Sequence, residues 1–160
     1  MSRIVASKWN PSRVYVSLNG YRNDDFRPYC YVSEDEGATW TQVGTDLPYE
    51  PLNVLREDPK NPDILYVGTD GGLYVSFDRG RHFMAWTSGL PLSVPVHDIA
   101  IQERDNELVV GTHGRSLYVT KLEDVQGLQT DPEWLRKKAR KAKEKEAPKE
   151  EKAQLPGETD

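Results

Sequence analysis

Acids, cations and aromatic residues are concentrated in one short segment, Tyr21-Arg22-Asn23-Asp24-Asp25-Phe26-Arg27-Pro28. Hydrolysis of a glycoside needs two carboxyl groups about 5–9.5 Å apart across the ligand. Asp24 or Asp25, together with Asp98, is the one pair that the sequence nominates for this chemistry. The alternative, which we favour, is that Asp24 and Asp25 lie in a solvated loop.

Several polar and aromatic residues are better candidates for binding than for catalysis. Arginine holds carboxylates and other anions through paired hydrogen bonds, and tyrosine can stack on a sugar or a peptide. His97 precedes Asp98, which could tune it, although a histidine near a junction is more often structural. His113 and Arg115 have a similar alternative, hydrogen bonding between neighbouring units. The candidate ligand-binding residues are Tyr21, Arg22, Asp24, Asp25, Asp70, His97, Asp98, His113 and Arg115. We assign no catalytic residue.

A second pattern, Ser-x-Asp-x-Gly-x-x-aromatic, occurs at residues 33–40 and again at 76–83, and we call these segments the Ser-Asp turns. A short Asp side chain accepts hydrogen bonds from its own turn, and Gly supplies a positive φ. Neither copy has the further carboxylates of a calcium loop, so the pattern predicts structural turns without a metal. The residues concerned are Ser33, Asp35, Gly37, Thr39, Trp40, Ser76, Asp78, Gly80 and Phe83.

The Ser-Asp turns belong to a longer repeat. They lie 43 positions apart, whereas Asn10-Pro11 recurs as Asn61-Pro62 after 51 positions. The difference of eight residues is an insertion in the first copy, Tyr21 to Pro28. A third copy follows, because Leu65–Thr69 is repeated at Leu108–Thr112. A period of about 40–50 residues built from short strands is typical of propeller blades.

Each copy predicts short antiparallel strands, because β-branched and aromatic runs are bounded by Gly, Pro, Asn and Asp. The predicted strands are 4–7, 14–18, 29–33 and 39–43, then 54–57, 65–69, 73–76 and 83–87, then 98–101, 108–112 and 116–120. Helical periodicity is absent before about residue 126. The predicted fold class is all-β, an incomplete β-propeller with two full four-stranded blades, a three-stranded third blade and a short charged C-terminal helix or tail. The units are placed at about 1–50, 51–93 and 94–126, and the tail at 127–160.

The first Ser-Asp turn resembles the Asp box, or BNR repeat, of sialidases, xyloglucanase-like glycosidases and sortilin-type (VPS10) propellers. The segments 53–59, 65–76 and 111–116 resemble the C-terminal part of sortilin-like bacterial BNR proteins that are described as glycosyl hydrolases. The resemblance covers about residues 1–126 and implies a repeat propeller. It does not extend to the arginine triad of sialidases or to their Tyr/Glu pair.

Strand order predicts where a ligand would bind. In an antiparallel blade the first and third turns share one face of the propeller, and the Ser-Asp turns lie on that face. The second turns and the connections between blades share the opposite face, which holds the insertion, Asp70 and His113–Arg115. The starts of the innermost strands add Arg3, Asn53, His97 and Asp98 to this face.

Composition argues against several classes of function. Residues 1–130 hold 12 Lys and Arg against 18 Asp and Glu, which disfavours a nucleic-acid surface. No apolar stretch approaches the ~18 residues of a membrane span, and the N-terminus shows no signal peptide. The single Cys30 excludes an internal disulfide. Proteins that the chain resembles are mostly exported, so the localisation stays open, and no cofactor is expected.

The basic segment after residue 130 predicts a short helix with Asp131 as N-cap and Pro132 in its first turn. From Glu144 onward the composition predicts disorder. The basic run could bind an acidic partner or a membrane surface, although a solvated helix with a frayed tail is the favoured interpretation.

Three units are fewer than the ~4–8 blades that close a propeller, and open strand edges invite pairing with other chains. Either the chain is the C-terminal piece of a longer propeller whose missing blades cover the open edges, or it associates with copies of itself or with a partner chain.

Two functions are compatible with these observations. We favour a non-catalytic propeller scaffold or fragment that binds a peptide or a glycan on the face opposite the Ser-Asp turns. The alternative is a C-terminal fragment of a BNR-repeat glycoside hydrolase, sialidase-like or xyloglucanase-like, whose catalytic residues lie mostly in missing blades. The fold alone does not separate them, because propellers host many functions.

Overall fold

The computed structural model describes residues 3–91 and 93–128, which form three antiparallel sheets in succession along the chain. The first blade contains β1 (Arg3–Ala6), β2 (Val14–Gly20), β3 (Asp25–Ser33) and β4 (Thr41–Gln42). The second blade contains β5 (Leu52–Glu57), β6 (Leu65–Thr69), β7 (Leu73–Ser76) and β8 (Met84–Ala85). The third blade contains β9 (Val96–Gln102), β10 (Glu107–Thr112) and β11 (Leu117–Lys121).

Each sheet is a meander in which strands that follow one another in sequence are also hydrogen-bonded neighbours. Consecutive four-stranded meanders of this kind are the blades of a β-propeller. The predicted fold class is therefore confirmed: the described residues form an all-β, open propeller fragment with a three-stranded third sheet.

Strand register divides each blade into two faces, because successive side chains of a strand point to opposite sides. One cross-strand row, which we call the front row, runs through each blade's first three strands, and the neighbouring row on the other face is the back row. The front rows are Ile4–Val16–Tyr31, Leu55–Val67–Tyr74 and Ile99–Val110–Tyr118. The back rows are Val5–Tyr15–Val32, Arg56–Tyr66–Val75 and Ala100–Val109–Val119.

The core between the first two blades forms where the first back row meets the second front row. Tyr15, Leu55 and Val67 are fully buried there, and Cys30 and Leu65 pack in the same cluster. Burial of a large apolar side chain stabilises the fold by about 1.5–3 kcal/mol, so this junction ties the blades together through apolar contact.

A glycine allows the second and third blades to approach closely. A Cβ on Gly68 would lie 2.7 Å from Val54 Cγ1 and nearer still to Val96 Cγ1. Such distances are too short for carbon atoms in van der Waals contact. The absence of a side chain at Gly68 therefore lets β6 lie close to Val96 at the start of β9.

The insertion differs from the expected loop. It lengthens the β2–β3 hairpin, so that Gly20 pairs with Asp25 beyond a register shift. A 3₁₀ turn over Tyr21–Asn23 closes the hairpin, and Asp24 has a left-handed backbone with φ of 54°. Strand pairing thus reaches Asp25 inside the insertion, beyond the Leu18–Tyr29 pair, which a solvated loop would not provide.

Two further expectations about secondary structure are corrected. The fourth strands, β4 and β8, are two residues long, which is shorter than predicted. In the first blade the chain leaves β3 after Val43 N donates to Cys30 O, because the next donor, Gly44 N, bonds to Gly80 O of the second blade. A helix, α1 (Glu123–Leu128), begins before residue 126. The predicted helix starting at Asp131 lies outside the described residues.

A buried carboxylate connects the start of α1 to the second blade. Asp58, which is fully buried, accepts a 2.6 Å hydrogen bond from the Tyr66 hydroxyl and bonds of 2.9 and 3.0 Å from Gln126 Nε2. It also accepts the backbone N–H groups of Lys60 and Asn61. Burial and this bond raise the pKa of Tyr66 well above its usual range, so the Tyr66 hydroxyl stays protonated as the donor to Asp58.

Candidate ligand-binding face

Each Ser-Asp turn is closed by the same pattern of hydrogen bonds. In the first turn, Ser33 Oγ donates to Asp35 Oδ1 at 2.8 Å and accepts from Gly37 N at 2.8 Å. Asp35 Oδ1 also accepts from Thr39 N at 2.8 Å. The carboxylate thus closes a four-residue turn from within.

The second turn repeats this network with a different last residue. Ser76, Asp78 and Gly80 make the same bonds at 2.8–2.9 Å. His82 N donates to Asp78 Oδ1 at 2.9 Å, and His82 Nδ1 lies 2.8 Å from Asp78 Oδ2, where Thr39 Oγ1 donates in the first copy. A histidine therefore fills the place of the threonine.

Backbone conformation explains the glycine of each turn. Gly37 and Gly80 have φ of 94° and 84°, in the region that other residues reach only with strain. The bonds from Thr39 hold the pKa of Asp35 at about 2. Asp35 is thus an ionised turn acceptor at neutral pH, with both oxygens engaged by its own segment.

Asp25, the second carboxylate of the insertion, is held in an ion pair. Asp25 Oδ2 lies 2.6 Å from Arg27 Nη2, Asp25 Oδ1 accepts from Arg27 Nε at 2.9 Å, and Tyr29 Oη donates to Asp25 Oδ2 at 2.6 Å. Hydrogen bonds from Arg27, and secondarily from Tyr29, hold the pKa of Asp25 well below its usual range. A proton donor would need the opposite shift.

Three aromatic side chains form a cluster at the insertion hairpin. The ring centroids of Tyr21 and Phe26 are 6.0 Å apart, and those of Phe26 and Tyr49 are 6.4 Å apart. Tyr21 is 60% exposed and Tyr49 is 66% exposed. These two tyrosines offer accessible ring surface around the partly buried Phe26.

A shallow depression of about 320 Å³ lies at the base of the same hairpin. Its lining combines aromatic, amide and carboxylate groups: Leu18, Asn19, Gly20, Asn23, Asp25, Tyr29 and Tyr31. Arg22 and Asp24 are exposed in the hairpin's turn. This mixture of apolar walls and a few polar groups is common in ligand sites.

Asp70 is placed in a hydrogen-bond network at the junction of all three blades. Asn53 Nδ2 donates to Asp70 Oδ1 at 2.8 Å and to Val96 O at 3.2 Å, and its Oδ1 accepts from Asn19 Nδ2 at 2.9 Å. One amide therefore connects residues of the first, second and third blades. The bonds give Asp70 a structural partner.

Two arginines share one carboxylate on the innermost strands. Arg3 Nη2 lies 2.6 Å from Asp98 Oδ1, and Arg56 Nη2 lies 3.4 Å from the same oxygen. Burial, and then the nearby Arg3, lower the pKa of Arg56. Asp98 thus balances two cations across three blades and is engaged before any ligand arrives.

The remaining predicted residues lie in the third blade, with His97 in β9 and with His113 and Arg115 in the turn between β10 and β11. The rings of His97 and His113 are 5.1 Å apart between centroids, and both side chains are exposed. His113 N donates to Pro95 O, and the carbonyl of Arg115 accepts from Tyr118 Oη at 3.3 Å. Both bonds lie within one blade, so they do not provide the expected hydrogen bonding between blades.

The structure thus arranges the nine predicted residues in separate groups. Tyr21, Arg22, Asp24 and Asp25 share the insertion hairpin, Asp70 belongs to the Asn53 network, and His97 pairs with His113. Sequence reasoning missed Tyr49 and Arg27, whose roles depend on packing against the hairpin. An aromatic residue at position 49 in a linker was the one signal that could have indicated the first.

Neither a metal centre nor a membrane helix is found in the described ranges. Among residues 3–91 and 93–128, no group of three or more His, Cys, Asp or Glu side chains is placed to hold a metal ion. In the same part of the chain, no helix has the length and apolar character needed to cross a bilayer.

No protein-family model matches the chain, and no curated protein matches its sequence. Among solved structures it is similar to an ancestral GH74 enzyme, with a TM-score of 0.58 and 19% identity over 71% of this chain and 14% of that one. The Niastella koreensis GH74 enzyme gives 0.58 and 18%, over 73% of this chain and 19% of that one. The GH74 xyloglucanase from Xanthomonas campestris gives 0.56 and 16%, over 74% and 20%.

These neighbours are glycoside hydrolases, and at such identities the likeness establishes the fold alone. The chain spans a fifth or less of the length of each of these three enzymes. It therefore has the fold of a small part of a GH74-like propeller.

Proposed function

We propose that the chain is a non-catalytic propeller scaffold that binds an extended glycan along the insertion hairpin. The observation that carries the proposal is the aromatic cluster of Tyr21, Phe26 and Tyr49 beside the polar depression at Asp25. Both tyrosines of this cluster are exposed. The Ser-Asp turns favour a place among Asp-box repeat propellers, including the sortilin-like ones, with blades at about 1–50, 51–93 and 94–126 and a separate tail at 127–160.

Ring chemistry supports a glycan over a peptide. The flat, apolar faces of sugar rings suit exposed tyrosines, and aromatic side chains supply large contact area at low entropic cost. Centroid spacings of 6.0 and 6.4 Å make the three rings one contiguous aromatic cluster, which can contact more than one unit of a repeating chain. One of the similar structures is described as a xyloglucanase, so xyloglucan is the first polymer to test. A peptide remains the second ligand class for the same face.

The state of the carboxylates supports binding without hydrolysis. A glycosidase needs one carboxyl group that is protonated near neutral pH. Arg27 and Tyr29 favour the ionised form of Asp25, and Asp98 lies between Arg3 and Arg56. Asp25 and Asp98, two of the acids that the sequence nominated, are thus engaged by arginines as structural ion-pair partners.

Affinity electrophoresis in gels containing xyloglucan tests the proposal, with dextran as the control polymer. We expect xyloglucan to retard the wild type and Tyr21→Ala or Tyr49→Ala to remove most of the retardation. Met84→Ala, an exposed apolar residue on β8, is the matched control and should migrate like wild type. Equal retardation of all four proteins would contradict binding along the hairpin, and a peptide-array screen would then test the second ligand class.

A second candidate function is favoured by the three similar structures named above, which are GH74 enzymes. In that case the chain is part of a glycoside hydrolase whose catalytic carboxylates lie mostly in further blades. Incubation with a panel of aryl glycosides separates the two candidates. Turnover that is lost in Asp25→Asn would overturn the non-catalytic proposal.

A further inference from the structure

The two ends of the blade series each leave one apolar row uncovered. Inside the series, a back row packs against the next front row. At the first junction Tyr15 of the back row is buried with Leu55 and Val67 of the front row. At the second junction Tyr66 and Val75 of the back row, and Ile99 and Val110 of the front row, are buried in the same manner.

Among residues 3–91 and 93–128, no blade lies in front of the first front row. Ile4 is 56% exposed, whereas its counterparts Leu55 and Ile99 in the other two front rows are buried. Val16 and Tyr31 of the same row join Leu18 and Trp40 in lining an apolar depression of about 300 Å³.

The aromatic residue that ends each Ser-Asp turn shows the same relation. Phe83 packs into the core at the first junction. Its counterpart Trp40, 43 positions earlier, lies over the open front row with much of its ring exposed. The first blade therefore carries a complete front surface of the kind that the second blade uses for packing.

The third back row, on the opposite side of the blade series, is also exposed to solvent. Val119 is 59% exposed and Ala100 is exposed, whereas Val32 and Val75, the counterparts of Val119, pack at junctions. Leu117, beside Val119 on β11, is also exposed, whereas Leu73 at the corresponding place in β7 is buried. Neighbouring exposed apolar side chains of this kind mark an interaction site.

We propose that the open back row of one copy packs against the open front row of a second copy, with the geometry of the junctions inside the chain. The contact is head-to-tail, so each copy offers one surface of each kind. Head-to-tail contacts close into a ring when the rotation per subunit permits it. Two copies bring six blades, which lies within the ~4–8 blades of closed propellers. Glycan binding is not required for this pairing.

The occupant is a second copy because the chain itself contains the matching surface. Both intact junctions show that this repeat's back rows fit its front rows. The open rows Ile4–Val16–Tyr31 and Ala100–Val109–Val119 contain no charged side chain, and the charges of the neighbouring row, Glu107 and Lys121, are already paired with each other at 2.9 Å.

Sedimentation velocity of the full chain at micromolar concentration tests the pairing. We expect one species with twice the 18.2 kDa mass of the chain. Ile4→Lys and Val119→Lys each place a charge in one open row, at positions exposed enough that the blade should still fold. Either variant alone should sediment as a monomer. Tyr49→Lys, equally exposed but outside both rows, is the control and should remain dimeric.

Mixing the two variants tests the head-to-tail arrangement. Ile4→Lys keeps an intact back row and Val119→Lys keeps an intact front row, so a one-to-one mixture should recover a dimer through one junction. Circular dichroism melts establish that both variants are folded. Monomeric or polydisperse wild type would overturn the proposal. A dimer lost in one variant and kept in the other would also overturn it, because that pattern indicates contact between identical rows.

Discussion

Replacement of Asp78 by Ala tests whether the Ser-Asp turns stabilise the fold. The Asp78 side chain is only 18% exposed and accepts bonds from Ser76 Oγ and His82 N, each at 2.9 Å. Its partner Ser76 is fully buried. Loss of the carboxylate leaves these donors unsatisfied, at a cost of about 1–3 kcal/mol. For a domain of this size the melting temperature should fall by roughly 3–10 °C.

Thermal melts followed by circular dichroism measure this loss, and Asp63→Ala is the matched control. Asp63 pairs with Arg79 of the same turn at 2.6 Å, but both side chains are substantially exposed. An exposed ion pair contributes only ~0–1 kcal/mol, so the control should melt close to wild type. Asp78→Asn, which keeps one carbonyl acceptor, should fall between the two. If Asp78→Ala melts no lower than Asp63→Ala, the turn does not stabilise the fold and our interpretation of the repeat pattern is wrong.

Three further outcomes are expected. The hydrogen bonds that lower the pKa of Asp35 from 3.8 to about 2 stabilise the fold fully above about pH 4, and this contribution is lost as the pH falls through about 2; acid titrations of wild type and Asp35→Asn should therefore converge below pH 2. Burial raises the pKa of the Cys30 thiol to about 12, so Ellman's reagent at pH 8 should label it only when the blade opens, and immediate labelling in native buffer would contradict the packing. Gly68→Ala forces a methyl group against Val54 and Val96, and urea melts should show a loss of about 1–3 kcal/mol.

Strands bounded by strong turn signals could be predicted from the sequence to the residue. The predicted strands 65–69 and 73–76 match β6 and β7. The Asn-Pro turn precedes the first, Asp70-Gly71-Gly72 separates the two, and a Ser-Asp turn ends the second. Each signal is local, so a single sequence carries it.

The insertion hairpin could not be predicted, because its local sequence signals favour a loop over a strand. Pro28 cannot donate to a ladder, which argues against a strand interior. In the structure, β4 pairs only with Tyr31 and Val32, so the N-terminal half of β3 has no neighbour on that side and needs no donor there. The strand therefore extends through Pro28 to Asp25. The length of β4, a neighbour later in the chain, decides the outcome.

The Asn53 network was equally beyond sequence reasoning, for a different reason. Its partners Asn19 and Val96 lie 34 and 43 positions away, in the blades on either side. They meet only when three blades are docked in one geometry, and no local pattern encodes that geometry. By contrast, the Asp35 turn closes within four residues, and its bonds follow from the pattern alone.

The repeat also explains why one set of residue types can be core in one blade and surface in another. Ile4, Leu55 and Ile99 occupy the same place in three front rows, yet only Ile4 is exposed. Its exposure follows from its position in the series, since nothing in its chemistry differs from that of its counterparts. In repeat proteins, end units that face solvent carry polar outer surfaces. The first front row and the third back row are instead as apolar as the rows that are covered, so each has the character of a surface that packs against another blade.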